Sequence, residues 1–454
     1  MMKLVIIGGV AAGAKAAAKA RRLLPDAEIN LYTDDTHVSY SACGIPYYIE
    51  GNFEDYRTLL VRSPEEFAQS NIFIHLECRV SKILPMCKKV LVENLKENSA
   101  FLVDYDKLIV ATGSRPFIPN IKNIALNNVF TVRRIEDAIA IREKISTAKS
   151  VVIVGGGYIG IEMLEAFVRQ GLHVILVERD EHIMSIFDTD MADLIKNQLM
   201  SISNGNFEII TSETVTEFTG DNKGINGVIT SSGNRYDVDM AVICAGVTPN
   251  VDVAIDAGIQ LGATGAISVT PKMETNIKDI YACGDCVQEY HIVSKQPVWM
   301  PLGSNANKEG RVAAMNACGF PDMFQGVLGS AVTRCLGLTM SITGLTENQA
   351  RNAGFEPVSV TVTKYDKVGY MPDANNITLK LTADKKTGLL LGGQGVGAGD
   401  ADKRINTLAT ALLAKLTVEE FFNNDLTYAP PFSPTIDPLL NAAQILMTKV
   451  RAES

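Results

Sequence analysis

The cysteine best suited to redox chemistry is Cys43, in the segment VSYSACGIPYY that runs from Val38 to Tyr48. It has no close cysteine partner, and the position five residues later is occupied by Tyr48. A lone thiol can form a mixed disulfide or a sulfenic acid, but it cannot close a local disulfide ring. If Cys43 opens a helix, we expect a lowered pKa and a thiolate nucleophile. A buried packing cysteine beside a turn is the alternative.

The remaining cysteines predict neither a disulfide framework nor a metal site. Eight cysteines in 454 residues are too sparse for a disulfide-stapled fold, and only Cys283 and Cys286 form a C-x-x-C pair. No second pair and no His-x-x-His lies nearby, so we expect no metal. We therefore interpret the cysteines other than Cys43 as buried, reduced thiols.

A glycine-rich segment in the middle of the chain predicts a dinucleotide site. The pattern G-x-G-x-x-G, at Gly155, Gly157 and Gly160, lies between an apolar strand and a helix. Such glycines allow the backbone to approach a pyrophosphate, which the helix N-terminus binds. The next strand ends in Glu178, 18 residues after Gly160, where a carboxylate can accept hydrogen bonds from a ribose 2′-OH. A Rossmann-like fold that binds no nucleotide is the alternative.

A similar strand–turn–helix unit begins the chain. Apolar residues 4–7 lead into Gly8, and Gly13 opens an alanine-rich helical stretch. Val10 occupies the place of the middle glycine, so the loop reads G-x-x-x-x-G. Glycines that only pack a helix against a strand are equally compatible with this pattern. The unit predicts a second nucleotide site, by analogy with the clearer one.

The acid expected at the end of the second strand is displaced in this first unit. Thr33 follows strand residues 29–32, and the carboxylates come next, at Asp34 and Asp35. An offset of one residue still allows Asp34 to reach a ribose, so we predict Asp34 as the ribose-binding acid.

Three further apolar strands end in small or polar turns. They lead into Thr112-Gly113, into Gly246, and into Gly284-Asp285. With the two glycine loops, these segments resemble the flavin-dependent pyridine nucleotide-disulfide oxidoreductases, in that family's order and over essentially the whole chain. The resemblance implies an α/β fold, with two Rossmann-like nucleotide-binding domains and a C-terminal α/β dimerisation domain.

The resemblance also implies the cofactors and the residues that hold them. The first loop would bind FAD and the second NADH, with NADPH possible, and Tyr158 resembles a gate over the flavin. The implied FAD-binding residues are Gly8, Val10, Ala12, Gly13, Asp34, Val80, Ala111, Thr112, Gly113, Arg133, Gly284 and Asp285. The implied NAD-binding residues are Gly155, Gly157, Tyr158, Ile159, Gly160, Glu178 and Gly246. Since Cys283 and Cys286 flank Gly284-Asp285, a thioredoxin-like role for them is disfavoured.

The segment around Cys43 resembles the single-cysteine branch of that family, which includes coenzyme A-disulfide reductases, NADH oxidases, NADH peroxidases and polysulfide reductases. Peroxidases and many oxidases carry a histidine where this chain has Ala11, which disfavours peroxide cleavage. The GVAAG loop, the CGIPYY segment and LTYAPPFSP at 426–434 favour the coenzyme A-disulfide reductases. We predict hydride transfer from NADH through FAD and Cys43 to coenzyme A disulfide, a persulfide or a polysulfide. An NADH oxidase that reduces dioxygen and a thiol redox sensor remain alternatives.

The same resemblance implies residues that act on the substrate. Tyr428 and Tyr370 of a partner subunit would approach Cys43 in a homodimer and protonate a leaving thiolate. A turn-capping tyrosine is the alternative for Tyr428. Residues predicted to bind the phosphates of coenzyme A are Lys15, Lys19 and Arg22, spaced along one helix stripe, together with Ser39. For the stripe, a solvated basic face is equally compatible.

Two departures keep the acceptor open. Ala42 replaces an asparagine found in well-studied relatives, and Ile436 stands where they carry a basic residue.

The predicted domains are an FAD domain at 1–117 and 247–325, an NAD domain at 118–246, and a dimerisation domain at 326–454.

Composition limits the partners. The chain is 46% hydrophobic and 20% charged, which is typical of a folded protein with a large core. The net charge of −9 argues against nucleic acid and anionic membrane as partners. No apolar run approaches the roughly 18 residues that span a bilayer, and glycines interrupt the N-terminal run. We therefore expect a soluble, cytoplasmic protein.

Overall fold

The computed structural model describes residues 1–453. Its first sheet contains five parallel strands in the order β18-β7-β1-β2-β3. The central strands are buried apolar runs, which is typical of a parallel sheet covered by helices on both faces. The strands are β1 (Lys3–Ile7), β2 (Glu28–Tyr32), β3 (Ile72–His75), β7 (Lys107–Val110) and β18 (Ile280–Ala282). Two helices pack closely on each other beside this sheet, α1 (Ala11–Leu23) and α8 (Gly303–Ala317). The alanine-rich sequence of α1 permits this close approach.

The second sheet repeats the parallel arrangement in the order β12-β11-β10-β16-β9. Its strands are β9 (Val129–Thr131), β10 (Ser150–Val154), β11 (His173–Val177), β12 (Phe207–Ile210) and β16 (Met240–Ile243). Its helices are α4 (Ile135–Ile145), α5 (Tyr158–Arg169) and α6 (Thr189–Ile202). In both sheets a glycine turn follows the carboxyl end of a central strand, where open α/β sheets bind ligands.

The third large sheet, near the C-terminus, is antiparallel, in the order β21-β22-β25-β24-β23. Its strands are β21 (Ala331–Cys335), β22 (Leu338–Gly344), β23 (Pro357–Tyr365), β24 (Asn376–Asp384) and β25 (Leu390–Gly397). The helices of this part are α9 (Glu347–Asn352), α10 (Ala401–Ala414), α11 (Val418–Phe422) and α12 (Pro438–Glu453). The apolar faces of α10 and α12 pack on the sheet and bury its core.

Smaller elements connect these three parts. The remaining strands are β4 (Cys78–Leu84), β5 (Lys89–Asn94), β6 (Ser99–Asp104), β8 (Ser114–Pro116), β13 (Val215–Asp221), β14 (Gly224–Thr230), β15 (Arg235–Tyr236), β17 (Val247–Pro249), β19 (Glu289–Tyr290) and β20 (Pro297–Val298). The remaining helices are α2 (Ile45–Glu50), α3 (Pro64–Ala68) and α7 (Asp252–Asp256), with short 3-10 turns at 42–44, 56–59 and 85–87. The strands β8 and β17 pair antiparallel where the chain passes between the two parallel sheets.

The predicted fold class is confirmed: two Rossmann-like sheets are followed by a C-terminal α/β part. Among residues 1–453, no helix combines the length and apolar character that crossing a bilayer requires.

Candidate active site

The first glycine loop connects β1 to α1 in a conformation that only glycine tolerates. Gly8 has φ +101°, and a Cβ placed on it would lie 2.1 Å from the carbonyl oxygen of Ala111. Gly13 does not face the loop's open side, because a Cβ there would lie 1.9 Å from the carbonyl oxygen of Gly8. Gly13 therefore packs α1 against the loop, whereas Gly8, Val10 and Ala12 line the cavity beside it.

The second loop repeats this geometry at equivalent positions. Gly155 has φ +108°, and its N–H donates to the carbonyl of Val177 at 2.8 Å. In the first unit the N–H of Gly8 donates to the carbonyl of Tyr32 at the same distance, 2.8 Å. Tyr32 is therefore equivalent to Val177. Since Glu178 follows Val177 and Thr33 follows Tyr32, Thr33 stands in the first unit where Glu178 stands in the second.

Glu178 is held in position by backbone donors. Its two carboxylate oxygens accept from the N–H of Gly156 at 2.6 Å and from the N–H of Asp180 at 2.8 Å. The neighbouring Arg179 pairs with Asp180 at 3.2 Å. The carboxylate therefore stands at the mouth of the glycine loop with its negative charge fixed there.

The two candidate acids of the first unit have different surroundings. Asp34 faces the open space and pairs with Arg134 at 3.1 Å and Arg79 at 3.6 Å. Asp35 is buried and accepts from the hydroxyl of Tyr40 at 3.0 Å, which fixes the following turn. These surroundings favour Asp34, which stays a prediction as the ribose-binding acid.

One continuous cavity of about 2000 Å³ runs past both glycine loops and Cys43. All residues predicted to bind FAD line it except Gly13, and all residues predicted to bind NAD line it except Gly160. Gly160 has the packing role of Gly13, because a Cβ on it would lie 2.0 Å from the carbonyl oxygen of Gly155. A cavity of this extent is large enough for two dinucleotides and a substrate.

Cys43 lies in the 3-10 turn at 42–44, directly before α2. Its Sγ is 3.9 Å from the position that a Cβ would take on Gly303, the first residue of α8. The thiol is accessible because it faces the cavity, and this placement suits attack on a small molecule held there.

The protein's own groups do not supply the lowered pKa expected for Cys43, so that lowering stays a prediction for the thiol beside a flavin. Burial in the cavity wall, reinforced by the negative charges of Glu162 and Asp285, raises the pKa of the thiol. The short helix α2 begins after Cys43, and the positive charge of Arg133 offsets the effects of burial and of the two carboxylates only in part.

Sequence reasoning missed Glu162, which follows Tyr158 by four residues on α5. Burial raises the pKa of Glu162, and the hydroxyl of Thr333 donates to its Oε1 at 3.0 Å. The carboxyl lines the cavity, and its charge acts on both Cys43 and Tyr158. The i, i+4 spacing to Tyr158 was the signal that could have found it.

Tyr158 provides a test of whether a nucleotide fits. Its hydroxyl is buried and has no hydrogen-bond partner among the described residues, although the side chain lines the cavity. A Cβ on Gly157, one residue earlier, would have no heavy atom within 4 Å, so this side of the loop is open. An orphaned hydroxyl beside an open glycine loop fits a nicotinamide nucleotide, and the equivalent first loop fits FAD.

Only part of the predicted basic stripe reaches the cavity. Lys15 and Ser39 line it, whereas Lys19 and Arg22 lie further along α1, with Arg22 exposed. Sequence reasoning missed Arg62, which lines the same space but belongs to no recognisable motif. Lys15 of the stripe and Arg62 therefore both line the cavity that contains the thiol.

Tyr370 and Tyr428 lie outside the cavity of their own chain. They are 74% and 50% exposed, in the loops between β23 and β24 and between α11 and α12. The structure of one chain thus does not bring them to Cys43, and any contact would come from a second chain.

A group of three side chains has metal-ligand character. Ligand atoms of Asp35, His37 and Glu136 lie within 4.8 Å of one another. His37 hydrogen-bonds to Glu136 at 3.2 Å, and Asp35 is engaged by Tyr40. Hydrogen bonding within the group accounts for this arrangement.

Comparisons with known proteins agree with this geometry. The sequence model of the pyridine nucleotide-disulphide oxidoreductase family matches residues 2–310, and its dimerisation domain matches residues 333–439. The chain is 37% identical to an NAD(P)H coenzyme A polysulfide/persulfide reductase of Pyrococcus horikoshii, over 98% of each chain. It is 34% identical to an NADH oxidase of Methanocaldococcus jannaschii, over 99% of each chain. The solved NAD-dependent persulfide reductase from A. fulgidus superposes with a TM-score of 0.96 at 34% identity, covering 99% of this chain and 84% of that one.

Proposed function

The chain belongs to the pyridine nucleotide-disulphide oxidoreductase family, and from this premise we propose that it reduces a disulfide-type sulfur bound beside Cys43. It is an FAD-dependent oxidoreductase that takes electrons from NAD(P)H. The acceptors we propose are a coenzyme A persulfide, a polysulfide or coenzyme A disulfide, as the name of the Pyrococcus relative suggests.

The observation that carries this proposal is the position of Cys43. Its thiol faces a cavity that is continuous with both glycine loops, and Tyr48 takes the place of a second cysteine. A single thiol there must attack an external sulfur, because no local disulfide can form. The substrate is therefore split through a mixed disulfide with Cys43.

Bound FAD would supply the two-electron step, accepting a hydride from NADH and giving the electron pair to sulfur. Glu178 would accept hydrogen bonds from the ribose 2′-OH and repel a 2′-phosphate. Tyr158 would cover the cavity between the two loops until the nicotinamide displaces it. Lys15 and Arg62 would hold the phosphate groups of a coenzyme A substrate, with Ser39 beside them.

A proton donor for the leaving thiolate completes this proposal. Family membership includes the dimerisation domain, which supports a homodimer. We propose that Tyr428 and Tyr370 of the partner subunit donate to the leaving sulfur, since both phenols are exposed on that part of the chain.

Dioxygen is the second candidate acceptor, because a relative at 34% identity is named an NADH oxidase. A redox sensor whose Cys43 oxidation alters a partner interaction is a third. Rapid turnover with any acceptor would exclude the redox-sensor hypothesis.

The decisive experiment compares acceptors at one enzyme concentration. NADH consumption is followed without oxygen in the presence of coenzyme A disulfide, coenzyme A persulfide or inorganic polysulfide, and separately in air. We expect the sulfur acceptors to support faster turnover than air, and Cys43→Ser to abolish that difference. Faster turnover in air than with every sulfur acceptor would identify an oxidase instead.

The domain division at 1–117 with 247–325, 118–246 and 326–454 remains our proposal. We also place the enzyme in the cytoplasm, where its reduced thiols would persist.

A further inference from the structure

Two glutamates are buried together behind the Gly284-Asp285 turn. Glu289 lies on β19 and Glu309 in the middle of α8, and their side chains are 5% and 1% exposed. Each lies within hydrogen-bonding reach of the other. Buried carboxyl groups in contact are costly unless hydrogen bonds or a proton compensate their charges.

Each of the two carboxyl groups has one hydrogen-bonded oxygen and one oxygen without a partner. Oε2 of Glu309 accepts from the N–H of Gly284 at 2.7 Å, and Oε2 of Glu289 accepts from the N–H of Met300 at 3.1 Å. Oε1 of each glutamate is buried and has no donor among the described residues. The narrow void that both line leaves no volume for a water molecule.

A proton is the group that satisfies two facing carboxyl oxygens in a dry site. Like charges at contact distance cannot both ionise at neutral pH, as in other buried carboxyl pairs. Burial raises the pKa of both glutamates, and the charge of Asp285 acts in the same direction. Repulsion by Glu309 adds to the raised pKa of Glu289, whereas the hydrogen bonds from Gly284 and Glu289 partly offset the effect of burial on Glu309. Burial raises the pKa of the nearby thiols of Cys283 and Cys286, and the charge of Glu309 adds to this for each.

A hydrogen bond connects the two glutamates to the predicted flavin site. The N–H that Glu309 accepts from belongs to Gly284, which lines the cavity together with Asp285. Asp285 is itself fixed, because Ser114 Oγ donates to its Oδ2 at 2.9 Å and Trp299 Nε1 donates to its carbonyl at 2.8 Å. A charge that develops in the cavity at this turn therefore acts on the pair through a rigid, water-poor path.

We propose that Glu289 and Glu309 share one proton and take up a second from solvent when the flavin held at Gly284 becomes reduced. This inference rests on the proposed flavin site. A hydride brings two electrons and one proton to the cofactor. The pair accepts one further proton from solvent, which forms an O–H bond on its remaining carboxylate, and no other bond in the protein changes. The proton returns to solvent when the electrons leave, so its uptake compensates the negative charge of the reduced cofactor only while the electrons are held.

The test measures protons taken up per electron pair in the holoenzyme, from the pH dependence of the flavin midpoint potential. The variant is Glu289→Gln with Glu309→Gln, in which each amide keeps an oxygen for its backbone donor. We expect uptake near neutral pH to approach two protons per electron pair in the unmodified enzyme and to fall toward one in the double variant. The matched control is Glu208→Gln, an exposed glutamate on β12, which should behave as the unmodified protein. Equal uptake in all three proteins would overturn the proposal.

A second measurement keeps the proposal testable if the double variant folds poorly. Raised folded-state pKa values mean that the native protein binds more protons than the unfolded chain, so thermal stability should fall as pH rises through the folded values. Glu309→Gln should flatten that fall. Should stability respond while proton uptake does not, the pair titrates without sensing the flavin, and the coupling is rejected. A separate variant tests the flavin site itself. If Gly284→Ala leaves the affinity for FAD unchanged, then FAD does not bind at this turn, and the proposed flavin site fails rather than the proton uptake.

Discussion

In the proposed reaction Cys43 attacks as a thiolate, and its surroundings oppose ionisation. Because burial and the charges of Glu162 and Asp285 raise its pKa, the thiolate fraction should rise about tenfold per pH unit below that pKa. We expect the rate of Cys43 alkylation by iodoacetamide in the oxidant-free holoenzyme to increase about tenfold from pH 7 to pH 8. Cys43→Ser supplies the blank for labelling of other thiols. A flat rate over this range would show that the bound cofactor restores a low pKa.

Cys43→Ser should separate the two halves of catalysis. The substitution leaves both glycine loops intact, so FAD should stay bound and NADH should still bleach the flavin absorbance at the unmodified rate. Turnover with a disulfide or persulfide acceptor should fall to background, because serine cannot form the mixed disulfide. Stopped-flow absorbance and steady-state NADH consumption measure the two halves. Retention of most sulfur turnover would make Cys43 a packing residue.

Glu178 decides the nicotinamide cofactor in this proposal. We expect a higher kcat/KM for NADH than for NADPH, since a fixed carboxylate at the loop repels a 2′-phosphate. Glu178→Ala should narrow the preference by about tenfold, on the scale of one charged hydrogen bond. Glu178→Gln is the matched control that keeps an acceptor for the N–H of Gly156 but removes the charge. A preference for NADPH in the unmodified enzyme would contradict this assignment.

At the scale of elements, a buried arginine on α10 connects the two loops that carry the exposed tyrosines. Arg404 donates through Nε and Nη2 to Oδ2 of Asp437, at 3.1 and 3.0 Å, after the loop of Tyr428. Its Nη2 also donates to the carbonyl of Asp366 at 2.7 Å, before the loop of Tyr370. One guanidinium thus fixes the bases of both loops.

Replacing this guanidinium should disturb the tyrosine loops and little else. Arg404→Lys keeps the charge but loses the forked geometry, and we expect a loss of about 1–3 kcal/mol in the free energy of unfolding. Reoxidation of the enzyme by a disulfide should slow, while flavin reduction by NADH stays unchanged. Thermal unfolding and rapid-mixing absorbance measure these effects. Equal slowing of both half-reactions would indicate general destabilisation instead.

At the scale of the whole molecule, the proposed active site needs two chains. The C-terminal antiparallel part carries Tyr370 and Tyr428 on its surface, away from its own Cys43. A two-fold dimer is self-complementary, so each chain would complete the other's site and every dimer would contain two.

Mixed dimers test this arrangement directly. Chains with Cys43→Ser are co-expressed with chains carrying both Tyr370→Phe and Tyr428→Phe, and differently tagged mixed dimers are purified. If sites are shared, each mixed dimer has one intact site and one with all lesions, so disulfide turnover should exceed that of either parent and approach half of the unmodified value. No recovery in verified mixed dimers would place the whole site within one chain.

Local sequence patterns were sufficient to predict many residues of the candidate site. The glycine spacing at 155–160 and the acid at Glu178 require particular backbone turns, so the sequence alone predicts the second loop and its ribose carboxylate. Glu162 was within reach of the same argument through its spacing to Tyr158. Arg62 and Arg404 were not, because neither belongs to a motif: Arg62 lines a cavity formed by distant segments, and Arg404 hydrogen-bonds to residues that are 33 and 38 positions away in the sequence.

The sequence by itself determined the two strand–turn–helix units and the family, and it predicts Cys43 as the redox thiol, because each of these depends on motifs with short-range spacing. Tertiary structure alone decided the electrostatics: that Asp34 pairs with two arginines whereas Asp35 is buried against Tyr40, that burial and two carboxylates raise the pKa of Cys43, and that Glu289 meets Glu309 behind the Gly284 turn. The physical reason is that pKa values and hydrogen bonds depend on burial and on charges brought together by folding, over separations that no local pattern records.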